Sequence, residues 1–355
     1  MRILHVISSL FSGGAEKLVV EMCNYLVDNG HEVGLFVFVS DWDFFENRLN
    51  PDVLYFKNEN EKFFSLKKIR ALYNAIKKYD IIHVHLFHPF YIVAFLSFFF
   101  RNKKFVHTEH NTHNNRRKRR YKFIERIAYS RYSVTTCISE GVKKALENWI
   151  TSSKTVLINN FVIIDEITKT KPIERKLLNL DSSDKILVMI GSFRDRQKDQ
   201  NTLIQAMTLL PSNYKLLLIG EGILLKEKQE LVEALELQKK VVLLGSRKDV
   251  YSILKACDYG VLSSNWEGFG IVALEYMACG LPAIGTNVQG LNEVIVEKEC
   301  LFEVGDKERL AEIIMNLERD KQLKDQVVKS QQDRLQNYDI SNVMNEFITL
   351  YKSLV

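Results

Sequence analysis

Residues 264–282 read S-N-W-E-G-F-G-I-V-A-L-E-Y-M-A-C-G-L-P, and the reading of the whole chain turns on them. They follow an apolar run, Tyr259 to Leu262, that reads as a buried strand. Gly268 and Gly270 let the backbone turn sharply with no Cβ in the way. From Ile271 the spacing is helical, with Ile271, Leu274, Met277 and Ala278 on one face, and Gly280 and Pro282 end the helix. A strand, a glycine-rich turn and a helix N-terminus together form an anion site. Free N–H groups and the positive end of the helix dipole both point at it. Two carboxylates bracket the turn, Glu267 just before the helix and Glu275 in its second turn. A carboxylate repels phosphate, so these two are expected to serve neutral hydroxyls of a ligand. The pattern reads as a site for one nucleotide-sugar, with phosphates on the turn and a sugar near each glutamate.

Outward from this stretch, strands and helices alternate along both halves. In the first half, strands are expected at Ile3–Ser8, Glu32–Val39, Ile81–His85, Lys104–Thr108, Ser133–Cys137 and Thr155–Ile158. Helices are expected at Ala15–Asn29, Leu66–Lys78, Phe90–Phe100, Arg119–Arg131 and Glu140–Trp149, the last capped by Ser139. Asn159 to Asp184 is polar, holds Pro172 and lacks a clear period, so it reads as an interdomain linker. Alternation restarts at Lys185–Ile190, with strands at Lys215–Ile219, Val241–Leu244, Tyr259–Leu262 and Ala283–Gly285, and a helical tail from Lys307. Repeated βα units imply α/β, doubly wound parallel sheets.

The E-x7-E spacing of Glu267 and Glu275 within E-G-F-G-x-x-x-x-E resembles the retaining GT-B glycosyltransferases of glycosyltransferase family 4. The resemblance runs from Gly13-Gly14 to this segment and beyond, nearly the whole chain. It implies two Rossmann-like domains facing across a cleft. These would be an acceptor domain over 1–160, a nucleotide-sugar domain over 185–338, and a terminal helix over 339–355 that crosses back to the first domain. It implies that Glu275 binds ribose, that Glu267 lies beside the transferred sugar, and that the Gly268-Phe269-Gly270 backbone contacts sugar and phosphate. The family's G-G-A loop, facing donor phosphates and acceptor, matches Gly13-Gly14-Ala15. A dinucleotide fingerprint would need G-x-G-x-x-G at that place, and the spacing fails.

The family also carries a G-R-[LF]-x-x-x-K run whose Arg and Lys clamp the donor pyrophosphate. Lys198 matches the lysine, but Ser192 stands at the arginine position and one extra residue intervenes. Arg194 is expected to supply the missing charge, with Arg196 as the second choice. A loop with the sequence Thr108-Glu109-His110 resembles the family loop whose histidine reaches the donor sugar, which gives that role to His110. Expected catalytic groups are therefore Glu267, Lys198, Arg194 and His110. Gly13, Gly14, Arg196, Gly268, Phe269, Gly270 and Glu275 are expected to bind the donor. The resemblance implies a hexose-type sugar moved from a nucleotide-sugar, UDP foremost, to a glycan or lipid-linked saccharide in cell-surface polysaccharide synthesis. The competing reading is an inactive GT-B-like module that binds membrane or nucleic acid, and Ser192 is its best support.

Six of the eight histidines, His83, His85, His88, His107, His110 and His113, fall between 83 and 113. No Cys or carboxylate completes a compact ligand spacing among them, so no metal is expected. Asp41-Trp42-Asp43 is the only D-x-D triplet, and it reads as a loop rather than a Mn²⁺ or Mg²⁺ site. No cofactor is expected, since the nucleotide-sugar is a substrate. The five cysteines are scattered, without C-x-x-C, which fits a reducing cytoplasm.

Charge is uneven. Residues 1–154 hold 24 Lys+Arg against 15 Asp+Glu, while the rest holds 25 against 29. Arg116, Arg117, Lys118, Arg119, Arg120 and Lys122 form a dense run without a nucleic-acid-binding module around it. An anionic membrane surface is the expected partner, not nucleic acid. Phe90 to Phe100 is too short to span a bilayer and reads as a core helix. Met1-Arg2-Ile3-Leu4 enters a strand directly, so no signal peptide is expected, and the chain is placed in the cytoplasm, peripheral on the membrane's inner face.

Overall fold

Ile3, Leu4, Val6 and Ile7 form a run with only His5 between them, as a strand covered on both faces requires. All are buried at the centre of a parallel sheet in the computed structural model, which describes residues 1–11, 13–40, 44–58, 65–112, 117–151 and 154–355. The chain divides into two units, residues 1–160 with 341–355, and residues 161–340.

In unit one the elements are β1 (Arg2–Ser9), α1 (Gly14–Asp28), β2 (Glu32–Val39), β3 (Leu54–Phe56), α2 (Leu66–Lys78) and β4 (Ile81–His85). They continue as α3 (Phe87–Leu96), β5 (Lys104–Glu109), α4 (Lys122–Ser130), β6 (Val134–Cys137), α5 (Glu140–Trp149) and β7 (Thr155–Leu157). The sheet order is β3-β2-β1-β4-β5-β6-β7, all parallel. Helix starts follow local chemistry. The Ser139 hydroxyl accepts from the Val142 N–H at 3.1 Å and the Ser65 hydroxyl from Lys68 N–H at 3.1 Å.

Unit two holds α6 (Ile164–Lys169), β8 (Lys185–Ile190), α7 (Gln200–Ala206), β9 (Tyr214–Ile219), α8 (Leu225–Ala234), β10 (Val241–Gly245) and α9 (Val250–Leu254). Then come β11 (Tyr259–Leu262), α10 (Ile271–Ala278), β12 (Ala283–Thr286), α11 (Leu291–Val294), β13 (Leu301–Phe302), α12 (Lys307–Arg319) and α13 (Lys321–Leu335). Its sheet order is β10-β9-β8-β11-β12-β13, again parallel. Both orders reverse direction beside the first strand of the unit, the doubly wound arrangement expected from the alternation.

The last helix, α14 (Ile340–Leu354), packs on unit one: Val343, Met344, Phe347 and Tyr351 are buried, and Tyr351 Oη lies 2.6 Å from His83 Nδ1.

Three features differ from the sequence reading. Strands β3 and β13 were not expected; both are edge strands of three and two residues, too short to show a period. The stretch from Phe161 to Asp184 belongs to unit two rather than hanging between units, with Ile167, Leu178 and Leu180 buried. Helix α3 is core on one side only, for Phe95 stays exposed, as do Phe98 and Phe99 just beyond its end. Among the described residues no helix is long and apolar enough to cross a membrane.

Candidate functional site

In unit two the strands flanking the reversal are β8 and β11, and in open α/β sheets ligands bind outside the carboxyl ends of such a pair. The loops leaving those two ends carry Lys198 and Glu267. They are zipped together by backbone: Lys198 bridges Ser264 antiparallel, Asp199 N–H donates to Ser263 O at 3.0 Å, and Asn265 N–H donates to Gln197 O at 2.8 Å. Inside this clamp Lys198 Nζ donates to Glu267 Oε1, which also accepts from Ser264 Oγ at 2.9 Å. Glu267 is 6% exposed and Glu275 7%, so neither is the solvated glutamate of an ordinary surface turn. A buried carboxylate needs donors, and Glu275 Oε1 has the Tyr251 hydroxyl at 3.0 Å.

The turn itself is set by Gly270, which caps α10 with φ +95°, a left-handed conformation that glycine alone adopts without strain. Five residues later, in the second turn of α10, stands Glu275. Phe269 is buried, with its ring against Tyr338 at 5.6 Å, so its side chain is structural and only its backbone is available to a ligand.

The Lys198 loop is braced from below. Gly222 has φ +154°, and a Cβ there would lie 2.2 Å from the Phe193 carbonyl carbon. That close approach lets Phe193 N–H donate to Glu221 O and Leu224 N–H to Phe193 O, both at 2.9 Å. Arg194 and Arg196 are both exposed on this loop. The Arg194 N–H donates to Ser192 Oγ at 3.1 Å, and its guanidinium has no hydrogen-bond or ion partner among the described residues; Glu227 is held below its ordinary pKa by Lys228 first, with Arg196 adding a smaller pull.

In unit one, Gly13 and Gly14 sit between β1 and α1, as expected. Glu16 folds back over the turn, with Oε2 2.2 Å from where a Gly13 Cβ would stand. At the matching turn after β4, Leu86 holds φ +63°, a strained value for a leucine. His110 follows β5, and its Nε2 is shielded and has no protein partner among the described residues. Burial lowers the His110 pKa to about 4, although Glu109 pulls the other way. Its ring is therefore neutral near pH 7 and can offer a hydrogen bond but not a proton from an imidazolium.

The other described histidines of the cluster do different work. His5, His83 and His85 are buried with ring nitrogens within 4.8 Å of one another. His83 is bonded on both sides, to Tyr351 Oη and to Thr108 Oγ1, each at 2.6 Å, and His5 Nδ1 lies 3.0 Å from His85 Nε2. Burial drives the pKa of all three down. The rings are thus neutral and buried, with His5 Nε2 and His85 Nδ1 left without a hydrogen-bond partner among the described residues. His107 packs against Phe90 with ring centroids 4.6 Å apart, a packing role. His113, Arg116 and the Asp41-Trp42-Asp43 triplet lie outside the described residues.

Sequence reasoning missed Ser264, Tyr251 and the Gly220-Glu221-Gly222 turn. The glycine pair after β9 was a visible signal. The two hydroxyls were not, because their partners Glu267 and Glu275 are set by the fold.

Two family descriptions match successive parts of the chain: "Glycosyltransferase Family 4" over residues 12–166 and "Glycosyl transferases group 1" over 170–334. The N-acetyl-alpha-D-glucosaminyl L-malate synthase of Bacillus anthracis is 26% identical, over 96% of this chain and 93% of its own length. The UDP-Gal:alpha-D-GlcNAc-diphosphoundecaprenol alpha-1,3-galactosyltransferase of Escherichia coli is 26% identical, over 73% and 72%. Among solved structures, Anabaena HepE with UDP and glucose superposes with TM-score 0.87 at 22% identity, covering 99% of this chain and all of its own. Two parallel doubly wound units with these loops are the GT-B architecture of a glycosyltransferase. The chain belongs to the family 4 type of that class.

Proposed function

We propose that the protein is a retaining, metal-independent hexosyltransferase that uses a nucleotide-sugar, UDP-linked foremost, and a lipid-linked saccharide acceptor in cell-surface polysaccharide synthesis. The observation that carries this is the buried Lys198–Glu267–Ser264 cluster beside the N-terminus of α10, with Glu275 held one turn further on. The Escherichia coli relative, named for a UDP-sugar donor and a diphosphoundecaprenol acceptor, supports the choice of substrates.

In this reading the diphosphate lies on the Gly268–Gly270 backbone and the α10 dipole, with Lys198 and Arg194 as cations. An ammonium has three donors, so Lys198 can hold Glu267 with one and still reach phosphate. Glu275 takes the ribose hydroxyls, and Glu267 the hydroxyls of the transferred sugar. The Gly13-Gly14 turn and neutral His110 are the groups of unit one assigned to substrate. Because Glu267 is already tied by Lys198 and Ser264, it is assigned to positioning and not to nucleophilic attack. The departing diphosphate takes the acceptor proton as the acceptor attacks from the same face, which retains the anomeric configuration. The protein then contributes orientation and charge stabilisation.

The basic run, Arg117, Lys118, Arg119, Arg120 and Lys122 with Arg116, is proposed to hold the protein at an anionic membrane from the cytoplasmic side, more weakly as salt rises. A panel of UDP-, GDP- and ADP-sugars offered with lipid-linked saccharides tests the transferase reading. Transfer from one donor with an unchanged anomeric configuration by NMR is the expected result; an inverted product ends the retaining assignment.

A further inference from the structure

Helix α4 is built inside out. Its buried side carries Glu125, with Ala128 and Tyr129, while Phe123 is 73% exposed, Ile124 56% and Ile127 42%. The neighbouring end of α3 does the same: Phe95 is 62% exposed, and Phe98 and Phe99, in the turn that follows, 53% and 61%. The two stretches are joined by Arg131, which donates from Nε to Ser97 Oγ at 3.1 Å and lays its guanidinium over the Phe98 ring at 4.2 Å. Tyr91 donates to the buried Glu125 carboxylate, fixing α4 on α3. Six large apolar side chains are thus exposed on two helical segments that these contacts tie together, and exposed apolar surface of this kind marks an interaction site.

Charge decides the occupant. Between Leu86 and Arg131 there are eleven Lys+Arg and only two carboxylates, Glu109 and Glu125, and both carboxylates are buried. The exposed charge of this stretch is therefore positive, with Asp80 from outside it lying 3.8 Å from Lys103. A second copy of this chain would present the same patch to itself, setting cation against cation. An anionic bilayer offers acyl chains to the aromatic side chains and phosphate headgroups to the rim.

We propose that Phe95, Phe98, Phe99, Phe123, Ile124 and Ile127 insert into the headgroup–acyl boundary of an anionic bilayer. This rests on the peripheral-membrane reading above and adds to it: adsorption through charge alone is lost in salt, whereas inserted apolar side chains keep a bound fraction at high salt.

Flotation with phosphatidylglycerol-containing vesicles tests it, read at low salt and at about 1 M, where the Debye length is roughly 3 Å. Wild type should float at low salt and keep a bound fraction at high salt. The triple variant Phe123→Ser/Ile124→Ser/Ile127→Ser should still float at low salt, but its high-salt partitioning should fall at least tenfold. In parallel, the emission added by Phe123→Trp should shift to the blue and be quenched by lipids brominated on their acyl chains. Floating protein with an unquenched Trp at 123 and wild-type salt dependence in the triple variant overturns insertion and leaves charge adsorption standing. No flotation of wild type at low salt overturns both readings. A wild-type dimer that the triple variant dissolves, seen by sedimentation, reassigns the face to self-association.

Discussion

The sequence singles out Lys198 as a candidate phosphate cation, but not as the residue that holds Glu267. The two lie 69 positions apart, and only the reversal of the sheet beside β8 brings their loops together. The same holds for Tyr251 and Glu275: the glutamate could be read from its spacing, its hydroxyl partner could not. With both roles on Lys198, Lys198→Ala should lower kcat by roughly 10²–10³, the scale for removing one transition-state donor. Steady-state kinetics with whichever donor the nucleotide-sugar panel selects measure this, and a near-normal kcat removes Lys198 from the charge-stabilising set. Arg194→Ala should be the impaired arginine variant and Arg196→Ala the mild one, since the Arg194 guanidinium has no partner among the described residues while Arg196 feels the Glu227 charge. Glu275→Ala should weaken nucleoside diphosphate binding by about 1.5–3 kcal/mol, the range for charge-assisted hydrogen bonds. Unchanged affinity by calorimetry would end the ribose assignment.

Elements buried on both faces were the easiest to read. β2, β4, β8 and β11 fall at their expected limits because a continuous apolar run bounded by polar residues leaves no other choice. α2 and α5 did as well, having a serine cap at one end. Helix α4 was read for its charges, and its inversion was missed because the burial of Glu125 depends on α3. Burial raises the Glu125 carboxyl from its ordinary 4.5 to about 7. The folded state thus favours the protonated form, so this group's contribution to stability is intact below about pH 4.5 and is lost as pH rises towards 7. Glu125→Gln keeps an acceptor for Tyr91 without the charge. It should match wild type in thermal stability near pH 4.5 and exceed it at pH 8, with a slope between of up to about 1.4 kcal/mol per pH unit. Parallel melting curves across that range would show instead that Glu125 titrates normally.

At the scale of the molecule, two repetitions of one sheet order carry different duties. In the proposed reading Lys198, Arg194 and the N-terminus of α10 in unit two supply the positive field that a diphosphate needs. Activity should accordingly survive EDTA, measured as transfer with and without the chelator. Loss restored by Mn²⁺ or Mg²⁺ would return Asp41, Asp43 or the histidines to consideration as ligands. The doubly wound plan was visible in the alternation, whereas the division of the chain at residues 160 and 341 was not, because residues 161–184 have no period and gain their structure by packing on unit two. That division has a consequence for the order of synthesis. A ribosome completes every residue of unit two before it makes α14, so the surface around His83 waits uncovered through some 180 residues of translation. At typical elongation of about 5–20 residues per second that delay is on the order of ten seconds or more, a window in which the nascent first unit is a natural client for chaperones.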